Sequence, residues 1–108
     1  MAHEKYYAIC ENKCLVDLTQ TWELIVYKNW SDGATRKFQN LKCTGMKEAF
    51  NIAVKPKIVS STSVEDEAKI KEAFDKISYI SPQEDEIVVY CPLDDAPDLQ
   101  FSIIITLM

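Results

Sequence analysis

The most constraining stretch of this chain is 99–108, LQFSIIITLM. Three consecutive isoleucines, Ile103, Ile104 and Ile105, favour an extended backbone over a helix, because β-branched side chains pack well on a pleated surface. Side chains of a strand alternate between its faces. Phe101, Ile103, Ile105 and Leu107 then take one face, and Ser102, Ile104, Thr106 and Met108 the other. Both faces are largely apolar, so the strand belongs in the middle of a sheet or beneath a covered interface. At ten residues it is too short for a membrane-spanning helix, which needs about 20. The rest of the chain has to provide strands on both sides of it.

Several stretches offer them. Glu86–Cys91 (EIVVYC) reads as a strand, followed by an aspartate-rich loop over 92–98, so 86–108 is expected to form a C-terminal hairpin. In 21–29, Trp22, Leu24 and Val26 alternate with Glu23, Ile25 and Tyr27. A helical face through Trp22, Ile25, Val26 and Trp30 also fits, but the β-branched and aromatic content favours a strand. Asp32-Gly33 is the strongest turn signal, with 34–41 returning as a second hairpin arm. Residues 5–18 (KYYAICENKCLVDL) read as an N-terminal hairpin about a loop of Glu11, Asn12 and Lys13. That register sets Tyr6 against Leu18, Ala8 against Val16 and Cys10 against Cys14.

Helical spacing occurs twice. Ser63 is a good N-cap, and Glu65, Asp66 and Glu67 follow it where the helix dipole favours negative charge. Val64, Ile70, Ala73, Phe74 and Ile77 trace an apolar stripe, which predicts a long helix over about 64–78. Met46, Ala49, Phe50 and Ala53 recur at intervals of three and four, which predicts a short helix over about 46–53 ended by Pro56. Lys-Glu-Ala-Phe occurs in both, at 47–50 and 71–74. The expected fold is α+β: an antiparallel sheet built from hairpins with these two helices packed on it.

A chain of 108 residues is long enough for one domain with a real core. Its N-terminus has no apolar signal-peptide core, so a cytoplasmic location in a reducing compartment is expected. Charge is unevenly placed: residues 1–61 carry a net +3 and residues 62–108 a net −8. An acidic second half disfavours nucleic acid as a partner, since phosphate binding requires clustered basic residues. No membrane partner is expected either.

Four cysteines offer the most direct chemistry. A structural zinc site usually has paired C-x2-C knuckles. Cys10 and Cys14 make one C-x3-C, and Cys43 and Cys91 stand alone, so these four are weak metal candidates beside a reading as small buried hydrophobes. Glu84, Asp85, Glu86, Asp94, Asp95 and Asp98 would approach one another at the ends of the C-terminal hairpin, but their spacing matches no calcium loop. His3 is the only histidine. No nucleophile elbow, phosphate-binding glycine loop or dinucleotide fingerprint occurs, so no catalytic residue, cofactor or metal is assigned and an enzyme is not expected. The aromatic residues Tyr6, Tyr7, Trp22, Tyr27, Trp30, Phe38, Tyr79 and Tyr90 are many for this length. Trp30, beside the Asp-Gly turn, is the candidate anchor of an interface. Asp94, Asp95 and Asp98 are candidates for meeting a basic protein surface.

The segment YYAICENKCLVDL resembles the opening Tyr-x-(Val/Ile)-Cys-Glu-x-Lys-Cys stretch of small proteins encoded in phages and prophages of Gram-positive gut bacteria. It includes Cys10, Glu11, Lys13 and Cys14, and covers residues 5–18. The resemblance implies a non-enzymatic accessory or structural protein that acts through protein–protein contacts, located in the host cytoplasm or associated with the virion, with a homo-oligomer as one possible assembly. The alternative is a small acidic inhibitor or regulator that occupies a basic host protein surface.

Overall fold

The computed structural model describes residues 7–9, 15–17 and 21–108. In chain order the elements are β1 (Tyr7–Ile9), β2 (Leu15–Asp17), β3 (Thr21–Val26), β4 (Ser31–Asp32), β5 (Arg36–Lys42), β6 (Ile52–Pro56), α1 (Val64–Asp75), β7 (Tyr79–Gln83), β8 (Glu86–Pro92) and β9 (Phe101–Leu107). The fold is α+β, with antiparallel strands throughout. The strands form separate sheets, in the orders β1-β2, β3-β9-β6 and β4-β5-β8-β7.

β9 is the central strand of its sheet, with Phe101, Ile103 and Ile105 buried on the inner face and Ser102, Ile104 and Thr106 half-buried on the outer one. Register puts Trp22 opposite Ile105, Leu24 opposite Ile103 and Val26 opposite Phe101 on one side. On the other side Val54 faces Ile105 and Ile52 faces Leu107. These residues form the inner face, on which Val26, Ile103 and Ile105 are fully buried. The four-stranded sheet contributes Leu41, Ile87 and Val89 to the same buried cluster, and α1 contributes Ala73. Ile70, Phe74 and Ile77 pack against it. One core thus joins both sheets and the helix.

A polar side chain ties the two sheets together. Gln39 of β5 is buried, and its amide donates to the Tyr27 carbonyl at 2.8 Å while accepting from the Tyr27 N–H at 2.9 Å. The amide does for Tyr27 what a neighbouring strand would do. Both its polar atoms are satisfied, as burial demands.

The predicted C-terminal hairpin over 86–108 does not form. β8 pairs with β5 and β7, whereas β9 pairs with β3 and β6, so the loop between β8 and β9 crosses from one sheet to the other. The Asp32-Gly33 turn is present, but it joins β5 to the two-residue β4 and not to β3. There the Gly33 N–H donates to the Arg36 carbonyl at 2.9 Å. A Cβ on Gly33 would lie 2.6 Å from that carbonyl oxygen, so the position tolerates only glycine without movement of the backbone. For the N-terminal hairpin, β1 and β2 pair with Ala8 opposite Val16, the register expected from the sequence. Tyr6, Cys10, Cys14 and Leu18 lie outside the described residues.

The predicted short helix at 46–53 is absent. Met46 is fully buried, and its carbonyl accepts from Asp85 N–H at 2.8 Å. Phe50 N–H closes a tight turn on the Lys47 carbonyl, and Ile52 and Val54 then enter β6. The strand ends in Pro56, which an edge strand accommodates. The long helix spans Val64–Asp75, a turn less than predicted. Ser63 caps it, its hydroxyl accepting from Asp66 N–H at 3.0 Å. Lys76 and Ile77 N–H groups tighten the last turn onto Ala73 and Phe74, and Ser78 N–H is taken by the Tyr90 carbonyl, which starts β7. Val64, assigned to the buried stripe, is 85% exposed because the first turn projects beyond the core.

Candidate interaction surface

The face of the four-stranded sheet that points away from the core carries the most unusual set of side chains in the fold. Register assigns it. Phe38 lies opposite Tyr90, Asn40 opposite Val88 and Lys42 opposite Glu86. Tyr79 is on the other side of Tyr90, Ser81 of Val88 and Gln83 of Glu86. Directly opposed residues share a face, so Phe38, Tyr90 and Tyr79 form an aromatic row across three strands. Beside it runs a row of smaller side chains, Asn40, Val88 and Ser81.

The Tyr79 and Tyr90 rings stack at 5.8 Å between centroids with 25° between planes. Tyr79, on an edge strand, is 54% exposed. Phe38 is flanked by the β4–β5 loop, where a Gly33 Cβ would lie 3.5 Å from its ring. Together the loop, Arg36, Phe38, Asn40, Tyr79, Val88 and Tyr90 line a shallow groove of about 490 Å³. Arg36 is its one charged lining residue. At the opposite end of the same face stand Glu86, held by the Asn40 amide at 3.2 Å, and the Glu84-Asp85 turn. The face is therefore aromatic and small in alternate rows, with Arg36 at one end and both Lys42 and Glu86 at the other.

The Glu84-Asp85 turn is rigidly docked. Asp85 has φ 58°, a left-handed conformation that aspartate tolerates better than most residues. Its carboxylate accepts from Gly45 N–H at 2.9 Å, and its carbonyl accepts from Cys43 N–H at 2.9 Å. Gly45 itself has φ 92°. Glu84 pairs with Lys47 at 2.7 Å.

The residues selected from sequence are dispersed. Trp30 is half-buried, and its indole N–H donates to the Pro97 carbonyl at 3.1 Å, which makes it a brace for the β8–β9 crossover. Asp94, Asp95 and Asp98 are exposed on that crossover, and Asp95 pairs with Lys76 at 3.2 Å. The acidic residues do not gather: Glu84, Asp85 and Glu86 adjoin the start of β8, and Asp94, Asp95 and Asp98 follow its end. Cys43 and Cys91 are separated in the same way. Cys43 is bonded to Asp85, whereas Cys91 lies opposite Lys37, roughly 20 Å along the strand at about 3.3 Å per residue. One metal ion cannot take both. Each is buried. Burial pushes the Cys43 thiol up to about 11, and burial raises Cys91 while Lys37 opposes the shift. Both are thus held as neutral thiols. Among the described residues no group of three or more His, Cys, Asp or Glu side chains is placed to hold a metal, and no helix is long and apolar enough to cross a membrane.

Sequence reasoning counted Phe38, Tyr79 and Tyr90 among the aromatics but did not bring them together. Tyr79 and Tyr90 are eleven residues apart and Phe38 is far upstream, so only the β5–β8–β7 pairing unites them. The segment 79–83 contains Pro82, which hid it as a strand; β7 is an edge strand and accepts it.

Comparison with known proteins adds no relative: no protein-family description, no curated protein and no solved structure matches the chain.

Proposed function

We propose that this chain is a non-enzymatic accessory or structural protein of a phage or prophage that acts through protein–protein contacts, with the outer face of the four-stranded sheet as its contact surface. The observation that carries the contact surface is the outward row of Phe38, Tyr90 and Tyr79, with Tyr79 exposed at the sheet edge. Tyrosine is enriched at the energetic centres of interfaces, where a rigid ring gives a large contact area and the hydroxyl keeps a polar partner. The phage setting rests on the resemblance of residues 5–18, which implies a location in the host cell or the virion.

The test is co-purification with the products of its neighbouring genes. Tyr79→Lys, checked for retained fold by circular dichroism, should abolish recovery of the partner. Undiminished recovery would remove this face from the proposal.

The exposed Asp94 and Asp98 support a second reading, in which the crossover meets a basic host protein surface. Reversal of Asp94, Asp95 and Asp98 to lysine should then abolish binding that Tyr79→Lys leaves intact.

A further inference from the structure

We infer that the outer face of the four-stranded sheet takes a proline-rich segment in the extended polyproline II form, with an acidic residue at the end that meets Arg36. This names the partner chemistry of the contact surface above and rests on that reading. Phe38, Tyr90 and Tyr79 stand on three adjacent strands. Neighbouring strands lie about 4.8 Å apart, so the row spans roughly 9.6 Å. A polyproline II helix turns once in three residues of about 3.1 Å each, a repeat of roughly 9.3 Å. Prolines three apart on one side of such a helix therefore match the two ends of the row, Phe38 and Tyr79. Flat proline rings lie against aromatic side chains, which is how proline-rich ligands engage aromatic-lined grooves.

The relief suits a ligand laid over the surface. Val88 is 9% exposed, so it is a floor beside the row and not a socket. Tyr79 and Tyr90 stack on each other, and Phe38 and Tyr90 are half-buried, so the face offers ring surface. Contact of this kind buries little area, and a segment that is already extended loses the least conformational freedom on binding. Strand addition at the sheet edge is the other way to hold an extended peptide. Pro82 opposes it on β7, because it lacks the N–H that a ladder needs.

Charge and hydrogen bonding set the polarity of the ligand. No carboxylate lines the groove. Arg36 supplies donors only, and the hydroxyls of Thr35, Tyr79 and Tyr90 can each donate. A run of prolines brings backbone carbonyls without N–H groups, so it offers the acceptors that such a lining takes. Arg36 is exposed and in no ion pair among the described residues. It shares a face with Phe38 two positions along β5, roughly 6.6 Å away. An aspartate or glutamate flanking the proline on Phe38 is within its reach. Lys42 and Glu86 lie on the far side of the row, roughly 13 Å from the Phe38–Tyr90 pair, and take no part.

Three peptides with blocked ends test the inference: hexaproline with an aspartate at each end, hexaproline with a lysine at each end, and a Gly-Ser peptide of equal length with aspartate ends. Each is titrated to about 5 mM into ¹⁵N-labelled protein. The aspartate-ended hexaproline should give saturable shifts confined to β5, β7, β8 and the 33–36 loop, with a dissociation constant on the order of 0.1–1 mM. The lysine-ended peptide should bind about threefold more weakly, and the Gly-Ser peptide should not saturate. Tyr79→Ser should weaken binding about fivefold or more. Arg36→Glu should reverse the order of the two hexaproline peptides, which a general loss of stability would not do. No saturable shift from the aspartate-ended hexaproline, equal shifts from the Gly-Ser peptide, or shifts on another face would each overturn the proline-rich ligand. The contact surface would then stand if Tyr79→Lys still costs the co-purified partner, and fall with the ligand if it does not.

Discussion

The two larger sheets of this protein share one core but treat their outer faces differently. In the three-stranded sheet the outward residues are Thr21, Glu23 and Ile25 on β3, Ala53 and Lys55 on β6, and Ser102, Ile104 and Thr106 on β9. Polar and charged side chains predominate, and Lys57 pairs with Glu23 at 2.7 Å. In the four-stranded sheet an aromatic row stands outward instead. Both inner faces are equally dry: Ile103, Ile105, Ile87 and Val89 are all fully buried. Core formation thus accounts for the inner faces of both sheets and for neither outer one. The outward row, with Tyr79 exposed and Phe38 and Tyr90 half-buried, lies outside the shared core, and that separation of stability from surface chemistry makes it the candidate for function.

The separation can be broken or sharpened by substitution. The largest effect is expected at the inner face. Ile103→Ala should destabilise the fold by about 2–5 kcal/mol, because it opens a cavity where a fully buried side chain stood; urea denaturation measures it. The junction between the sheets comes next. Gln39→Leu leaves the Tyr27 N–H and carbonyl without their partner and should cost about 2 kcal/mol. A loss below about 0.5 kcal/mol would show that water replaces the amide at little cost. Asp85→Ala should cost roughly 1–2 kcal/mol, since it loses the Gly45 bond and holds alanine in a left-handed conformation.

Alkaline pH probes the end of β5 without mutation. The Cys43 thiol is raised from 9.0 to about 11 in the fold, so the unfolded chain loses this proton first. Stability from this group is complete below pH 9 and declines as pH rises towards 11. Cys43→Ala should flatten that part of the profile. The smallest stability effect is expected at the outer face. Tyr79→Ser should change stability by no more than about 1 kcal/mol, the scale of one exposed aromatic pair, while abolishing partner binding. A loss as large as that of Ile103→Ala would mean that the row belongs to the core and would end its candidacy as a surface.

Much of the fold was legible because it depends on local patterning. The alternation in β9, the cap at Ser63 and the Asp32-Gly33 turn each state their structure within a few residues. What was missed lies in pairing. Glu86–Pro92 and Phe101–Leu107 are strands separated by a short loop, and proximity made them a hairpin on paper. Their inner faces instead oppose each other across the core, because β9 needs neighbours on both sides and β3 and β6 supply them. The candidate surface was illegible for the same reason, since Phe38 and Tyr90 become neighbours only through the β5–β8 register.

Lys-Glu-Ala-Phe shows where the boundary falls. At 71–74 it is helical, inside a segment already capped by Ser63 and long enough to repay nucleation. At 47–50 the same four residues make a turn, because Met46 is anchored to Asp85 and the β-branched Ile52 and Val54 are drawn into the sheet edge beside β9. The sequence by itself determined that the chain has β-branched strands, one well-capped helix and an acidic second half, all of which follow from local sterics and composition. Only the tertiary structure decided which strands pair, which copy of the tetrapeptide winds into a helix and which aromatics share a face. Those outcomes depend on contacts between residues distant in the chain, whose burial outweighs local preferences of a few tenths of a kcal/mol per residue.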